Sequence, residues 1–453
     1  MRRVVFVSRR LVGESLRAAR AINRLDNVRV FGVSEYLPKG NEADVFADVV
    51  GPAAVDDATA LTAIARGLAQ EHGGIDRIVT TTETLLEPVA RANEILGLQG
   101  MSVATVRRAL DKSCLKATLE GAGIHSARDQ VLTSVDDARR FVGNVGFPIV
   151  LKPLGGSGAL ATLCIRDVEQ LELAMELMPA TPDWPILAEE YLNGHELCID
   201  TITIGSEPRF HSICCYSPSI LEAVEDSRIQ WTCVMPRDIS VKPYQDFIDQ
   251  GLRAVRALSV GNAMTHMEGF LVEGRGPCFT DATLRPAGAR IGPMLAFAYD
   301  VDAYRAWARV ALDGCFDGPW ERKYAVGTIF LRGNGSGLVE NVHGIESLSR
   351  RLGDLIVESR LPRVGASKSA TYTGDGYITL RHPETEAAEE ALRWIAETVR
   401  ISYTHSESTQ PSTGAIRHRW AERLQGFDKQ LNRPAWDDDS LPSLNSSLSR
   451  GVV

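Results

Sequence analysis

Apolar positions along the chain change their spacing in a way that divides it into regions. Val4–Val7 and Val28–Val33 are short continuous apolar runs, and between them apolar positions through Ala21 recur at helical spacing. The alternation continues with a helix over Asp57–His72, a strand over Ile75–Thr80 and a helix over Glu83–Leu96. Apolar strands separated by helices predict a parallel sheet covered on both faces. After Gly100 come a helix over Val103–Leu110 and another from Asp111-Lys112 through Glu120, stopped by Gly121-Ala122-Gly123. Strands are then expected at Phe147–Pro153, Pro185–Tyr191, Glu196–Ile204 and Phe210–Tyr216, with an amphipathic helix over Tyr244–Leu258. Two neighbouring strands, Met267–Val272 and Pro277–Ala282, are joined by the turn Glu273–Gly276. From Tyr324 the pattern turns to short strands at Val326–Leu331, Leu338–Val342 and Gly376–Leu380, closed by a helix over Thr385–Thr398. Beyond Thr404 the chain is rich in Ser, Pro, Asn and Asp, which predicts a disordered tail with room for one short helix around Ile416–Phe427.

The expected architecture is therefore α/β followed by α+β. It comprises a wound α/β domain over residues 1–110, a larger domain over 111–320, a small α+β domain over 321–403 and the tail over 404–453. At 453 residues the chain exceeds one core's worth, and its 44% hydrophobic and 24% charged content is that of a soluble globular protein. A net charge of −9 argues against a general nucleic-acid surface, so any anion site must be local. No apolar run approaches a membrane span, and the start MRRVVFVSRRLVGESL lacks the apolar core of a signal peptide. The eight cysteines are scattered without a CxxC pair and read as reduced thiols. The expectation is a cytoplasmic protein without nucleic-acid or membrane partners. The first turn, Ser8–Gly13, has no GxGxxG, so the first domain carries no dinucleotide signature.

The chemistry concentrates elsewhere. Glu268, Asp281, Thr283 and Arg285 fall at the ends of the two neighbouring strands, and alternation puts Asp281 and Thr283 on one side with Arg285 following. Two carboxylates and a hydroxyl suit a hard cation such as Mg²⁺, with Mn²⁺ as the substitute, held partly by a nucleotide's phosphates. Lys152 stands at the exit of an apolar strand, and Gly155-Gly156-Ser157-Gly158 follows at once. Those glycines let backbone N–H groups approach anionic oxygens, although no Walker lysine follows. Lys112 opens the preceding helix as a second cation. In Ile186–Glu196, an exposed strand edge would present backbone groups to an adenine ring, with Glu189 accepting from the exocyclic amine and Glu196 from ribose hydroxyls.

In order and rough spacing these pieces resemble the ATP-grasp enzymes, especially their carboxylate–amine ligases, over about Val4 to Ser402. The resemblance implies an ATP-grasp fold whose middle domain, in two parts, binds ATP and whose small C-terminal domain is a lid. It implies that Lys112 and Lys152 contact ATP phosphates under a mobile loop of Gly155, Gly156, Ser157 and Gly158. Glu189 and the backbone of Glu190 and Leu192 would hold adenine, and Glu196 the ribose. Glu268, Asp281 and Thr283 would bind Mg²⁺, and Arg285 the carboxyl substrate. The sequence departs from the family pattern in two places: Asp281-Ala282-Thr283-Leu284-Arg285 stands where Glu-x-Asn-x-Arg is usual, and Glu190 stands where many relatives carry a basic residue.

The implied reaction joins a small-molecule carboxylate to an amine through an acylphosphate, one substrate being an amino acid or a similar small acid. An ATP-binding protein without ligase activity and a purine-pathway-type ligase are the alternatives, and a homodimer is compatible with either. Within Ser217–Trp231, Glu225 and Asp226 are candidates to receive a substrate ammonium and Arg228 a carboxylate. Arg290 is a candidate for a second substrate anion. His266, beside Glu268, reads as a structural histidine.

Overall fold

The computed structural model describes residues 1–154, 162–177, 179–369 and 371–405. Near the N-terminus, strands β1 (Arg2–Ser8), β2 (Val28–Ser34), β3 (Asp48–Val50) and β4 (Arg77–Val79) form a parallel sheet in the order β3-β2-β1-β4. The β1 run Val4–Val7 is buried throughout, as a strand sandwiched between helices must be. A second sheet is antiparallel and contains β5 (Asp129–Leu132), β6 (Ile149–Pro153), β7 (Leu163–Ile165) and β8 (Ile186–Glu190) in the order β5-β8-β6-β7.

The third sheet dominates the molecule. It is built from β9 (Gly194–Ile204), β10 (Glu207–Ser217), β11 (Trp231–Met235), β12 (Ala263–Val272), β13 (Gly276–Thr283) and β14 (Ala325–Leu331). A short strand, β15 (Ser336–His343), leaves it, and β16 (Ile356–Arg360) and β17 (Gly376–His382) rejoin it. The resulting antiparallel order is β13-β12-β9-β10-β11-β14-β17-β16, while β15 pairs with β18 (Arg400–His405). The domain boundary expected near residue 320 thus falls inside one continuous sheet, because β11 pairs with β14 from Trp231↔Phe330 to Met235↔Val326. Of the tail expected over 404–453, Thr404 and His405 belong to β18, and residues 406–453, with the expected short helix, lie outside the described residues.

Alternation on the large sheet separates a packing face from a site face. The helix Lys242–Leu258 buries Phe247, Ile248, Gly251, Ala254, Val255 and Leu258, one stripe at helical spacing. That stripe packs on Leu197, Ile199, Ile213, Met267 and Phe279. Glycine at 251 permits the approach, since a Cβ there would stand 2.9 Å from Ile199 Cγ2. The opposite parity, Glu196, Cys198, Asp200, His266 and Glu268, faces away from this helix.

Strand β13 cannot meet both demands with regular geometry. Phe279 packs beneath the helix, yet Asp281, two residues on, pairs with Glu268 on the other face. The register steps from Gly269↔Phe279 to Glu268↔Asp281, leaving Thr280 as the extra residue of a β-bulge. Gly269 makes room for this step: a Cβ would lie 2.6 Å from the Cys278 carbonyl oxygen and 3.1 Å from Phe279 Cα. Gly269→Ala is expected to destabilise the protein by about 1–3 kcal/mol through overpacking against backbone. A urea titration checks this, and an unchanged midpoint would contradict the close approach.

Candidate active site

The site face of the large sheet gathers residues from three adjacent strands. Glu268 lies opposite Asp281 and His266 opposite Thr283 across β12 and β13, while Cys198 and Asp200 of β9 lie opposite Glu268 and His266. The Thr283 hydroxyl is buried without a hydrogen-bond partner among the described residues. Such a group in a native interior calls for an explanation, and a ligand supplies one.

Two lysines converge on Asp281 from outside this sheet. Asp111 caps the helix Lys112–Gly121 by accepting from the Cys114 N–H at 3.0 Å, which orients Lys112 at the helix start. The Lys112 ammonium donates to Asp281 Oδ1. Lys152, near the end of β6, donates to Asp281 Oδ2 at 3.2 Å and pairs with Glu189 Oε2 at 2.7 Å. Lys116, one turn beyond Lys112, pairs with Glu189 Oε1 at 2.9 Å and donates to the Ala127 carbonyl at 2.9 Å. Burial opposes the charge on Asp281, yet Lys112 and Lys152 together hold its carboxyl well below the usual range. Glu189 is likewise held low against burial by Lys152 and Lys116. Lys152 is desolvated, but Asp281 and Glu189 keep its ammonium above its ordinary value.

Glu196 behaves oppositely. Its carboxylate accepts the Ile220 N–H at 2.6 Å, but burial and then the neighbouring Glu268 push it well above the usual range. Two carboxyls, Glu196 and Glu268, thus crowd one side of the site.

Lys112, Lys152, Glu189, Glu196, His266, Glu268, Asp281 and Thr283 line a cavity of about 340 Å³. Ala127, Leu192 and Phe270 pack together and, with Val150, give it apolar walls. Tyr216, Trp231 and Tyr372 also line it, the Trp231 ring centroid lying 5.2 Å from Tyr216 and 4.9 Å from Tyr372.

Several expected placements need correction. Strand β8 is interior to its sheet, paired with β5 and β6, so it offers no free edge to an adenine ring. The Glu190 N–H is taken by the Arg128 carbonyl at 2.9 Å, and its carboxylate by Arg128 and Arg275 at 2.7 and 2.6 Å. Glu189 lines the cavity, but its carboxylate is committed to Lys116 and Lys152. Leu192, by contrast, lines the cavity beyond the strand end. Gly155, Gly156, Ser157 and Gly158 lie outside the described residues.

The candidate substrate groups also pair elsewhere. Glu225 is held by both terminal nitrogens of Arg166, at 3.0 and 2.6 Å, and Asp226 by Arg228 at 2.7 Å. From that segment it is Ser219, Ile220, Leu221 and Glu222, with Trp231 at its end, that line the cavity. Arg290 is bound by Glu358 and by Glu14 at 3.4 Å, with Tyr377 stacked at 4.4 Å, away from the cavity lining. Arg285 does line it, its guanidinium donating to Glu83 at 2.7 Å and to the Pro286 carbonyl at 2.8 Å.

Sequence reasoning passed over Lys116 and Glu83. The first was signalled only by standing one helical turn after Lys112. The second had no local signal, since its contact with Arg285 spans 202 residues.

No protein-family model matches the chain. Over 245 residues it is 24% identical to the alanine–anticapsin ligase of Bacillus subtilis, an alignment covering 50% of this chain and 52% of that one. The chain thus spans about half the length of the curated relatives it matches. The crystal structure of an L-amino acid ligase from Bacillus licheniformis superposes with a TM-score of 0.74 at 20% identity, covering 89% of this chain and 99% of that one. The biotin carboxylase domain of 2-oxoglutarate carboxylase from Hydrogenobacter thermophilus, solved with MgADP, ADP and bicarbonate, does so at 0.65 and 17% identity, covering 96% and 99%. The chain therefore has the ATP-grasp fold of these structures, and over half its length it is similar in sequence to an alanine–anticapsin ligase.

Proposed function

We propose that the protein is an ATP-dependent carboxylate–amine ligase that forms an amide or peptide bond, with an amino acid or a similar small acid as one substrate and the cytoplasm as its compartment. The observation that carries this reading is the cluster in which Lys112 and Lys152 share Asp281 while Glu196 and Glu268 crowd together beside it. It is charge-separated machinery facing a cavity, and a nucleotide with its cation would complete it. Lys112 and Lys152 would turn to the phosphates, with Lys116 and Glu189 fixing the Lys152 stem. Ala127, Val150, Leu192 and Phe270 would flank the adenine.

Glu268, Asp281 and Thr283 fit a magnesium ion, because the carboxylates need a cation once the lysines engage phosphate and the Thr283 oxygen has no partner among the described residues. Magnesium, when bound, neutralises charge on the transferring phosphoryl group. The shorter Asp281 still reaches both lysines, so the departure from Glu to Asp leaves the site connected. Phosphoryl transfer to a carboxylate needs alignment and charge compensation, which the two lysines provide. The resulting acylphosphate has a good leaving group for attack by an amine. Arg285 would hold the substrate carboxylate and then the oxyanion, with Glu83 keeping its guanidinium in place.

The direct test is release of ADP with single amino acids and pairs. ADP should form only when a carboxylic acid and an amine are both present, or slowly with the acid alone; a thermal shift with ATP but no turnover across a broad panel would refute ligation. Arg285→Ala should leave ATP affinity nearly unchanged and lower turnover on the order of a hundredfold. Equal loss of ATP binding and activity would instead mark the arginine as a fold element. Lys152→Ala should weaken ATP binding by roughly 1.5–3 kcal/mol, measured by calorimetry.

Stability should also depend on pH through this cluster. The folded carboxyls of Asp281 and Glu189 lie below their ordinary values, so their contribution is present above roughly pH 4 and is lost as pH falls through the folded values. Glu189→Gln should cost about 3–5 kcal/mol at neutral pH by leaving Lys116 and Lys152 underpaired. It should also show a shallower acid loss in melting experiments than the wild type.

A further inference from the structure

Beside Glu268 the sheet buries a set of polar groups that binding of nucleotide does not explain. Asp200 is 3% exposed, His266 8% and Cys198 0%, in a core that includes Ile202, Met264, Met294 and Leu295. An aspartate in such surroundings is costly unless its oxygens are engaged. His266 Nδ1 lies 3.0 Å from Asp200 Oδ1, and Nε2 lies 3.3 Å from Glu268 Oε1. Carboxylate oxygens only accept, so both ring nitrogens donate. Cys198 Sγ donates to the second Asp200 oxygen at 3.7 Å. Cys198, Asp200 and His266 are close enough together to hold a metal ion, but each is spent on its neighbour, and the series has a direction. It runs from the core, through the imidazole, to Glu268 at the cavity.

The register gives the series rigidity. His266 sits directly opposite Asp200, and Glu268 directly opposite Cys198, within the continuous pairing of β12 with β9 from Ala263 to Val272. A glutamate has rotatable side-chain bonds that magnesium's demand for near-octahedral geometry must freeze. A donor fixed from behind removes part of that cost before the ion arrives. Ligating carboxylates are commonly oriented by such outer partners, whose loss weakens metal binding.

We propose that Asp200 and His266 are positioning residues: Asp200 fixes the imidazole, and the imidazole fixes one oxygen of Glu268, leaving the other to the metal bound with the nucleotide. The proposal rests on the reading of Glu268 as a metal ligand, and the test separates the two. Mn²⁺ serves as the probe, its free concentration measured by electron paramagnetic resonance with the full chain and saturating ADP. Glu268→Gln should weaken Mn²⁺ binding. Asp200→Asn and His266→Gln should each raise its Kd by about 10- to 100-fold, with ADP affinity in the absence of metal unchanged. Asp200→Asn added to Glu268→Gln should cause no further loss, because the lever has nothing left to hold.

Weakened binding in Glu268→Gln with unchanged Kd in the other two variants, even at a lowered melting temperature, would make the pair purely structural and overturn the proposal. Undiminished Mn²⁺ binding in Glu268→Gln would overturn the ligand assignment and the proposal together. Asp200→Asn preserves shape and hydrogen-bonding capacity, so it carries the test should His266→Gln fail to fold.

Discussion

The two oxygens of Asp281 join side chains from two other parts of the molecule to the large sheet. One oxygen takes Lys112 from a helix start, and the other takes Lys152 from the small antiparallel sheet. The aspartate itself stands on the large sheet. Without it Lys112 would lose its one ion pair among the described residues, and Lys152 would keep Glu189 alone. The aspartate's negative charge is what allows cations to be stored where a polyphosphate is expected. The storage is reversible in principle, because Lys152 keeps Glu189 as a second partner when Asp281 is released.

That arrangement depends on a local irregularity. Strands β12 and β13 must serve a helix on one face and a polar site on the other, and strict alternation would put Phe279 and Asp281 on the same side. The extra residue Thr280 changes the phase between them, at the cost of an interrupted ladder. Upstream of it, Phe279 completes the packing under Phe247, the two rings lying 4.9 Å apart. Downstream, Asp281 and Thr283 join Glu268 and His266. Packing and chemistry are thereby assigned to opposite faces of the same few residues. Glu196, raised by burial and by Glu268, shows what this proximity costs.

The sequence made much of this legible. Strand and helix periodicity located the wound N-terminal sheet, the strand that carries Lys152, and the hairpin that carries Glu268 and Asp281. Pairing decisions over long distances were not legible. Continuity of the large sheet rests on β11 meeting β14, about ninety residues later in the chain. Local charge patterns were ambiguous for a related reason. Glu225, Asp226 and Arg228 have the chemistry to bind an amino acid, but Arg166 and their own turn satisfy them first. Arg290 is similar: a left-handed backbone at φ 65° turns it to Glu358 and Glu14 instead of the cavity. A sequence shows which groups can pair, whereas the fold decides which partner arrives.

The most direct test of this account is a crystal structure of the protein with ADP and magnesium. The account predicts ADP in the cavity with its ring between Leu192 and Val150, Lys152 drawn from Asp281 toward phosphate while still paired to Glu189, and Glu268 and Asp281 on the metal. A nucleotide bound elsewhere, or one bound in the cavity with both lysines still held by Asp281 and no metal on Glu268, would contradict it.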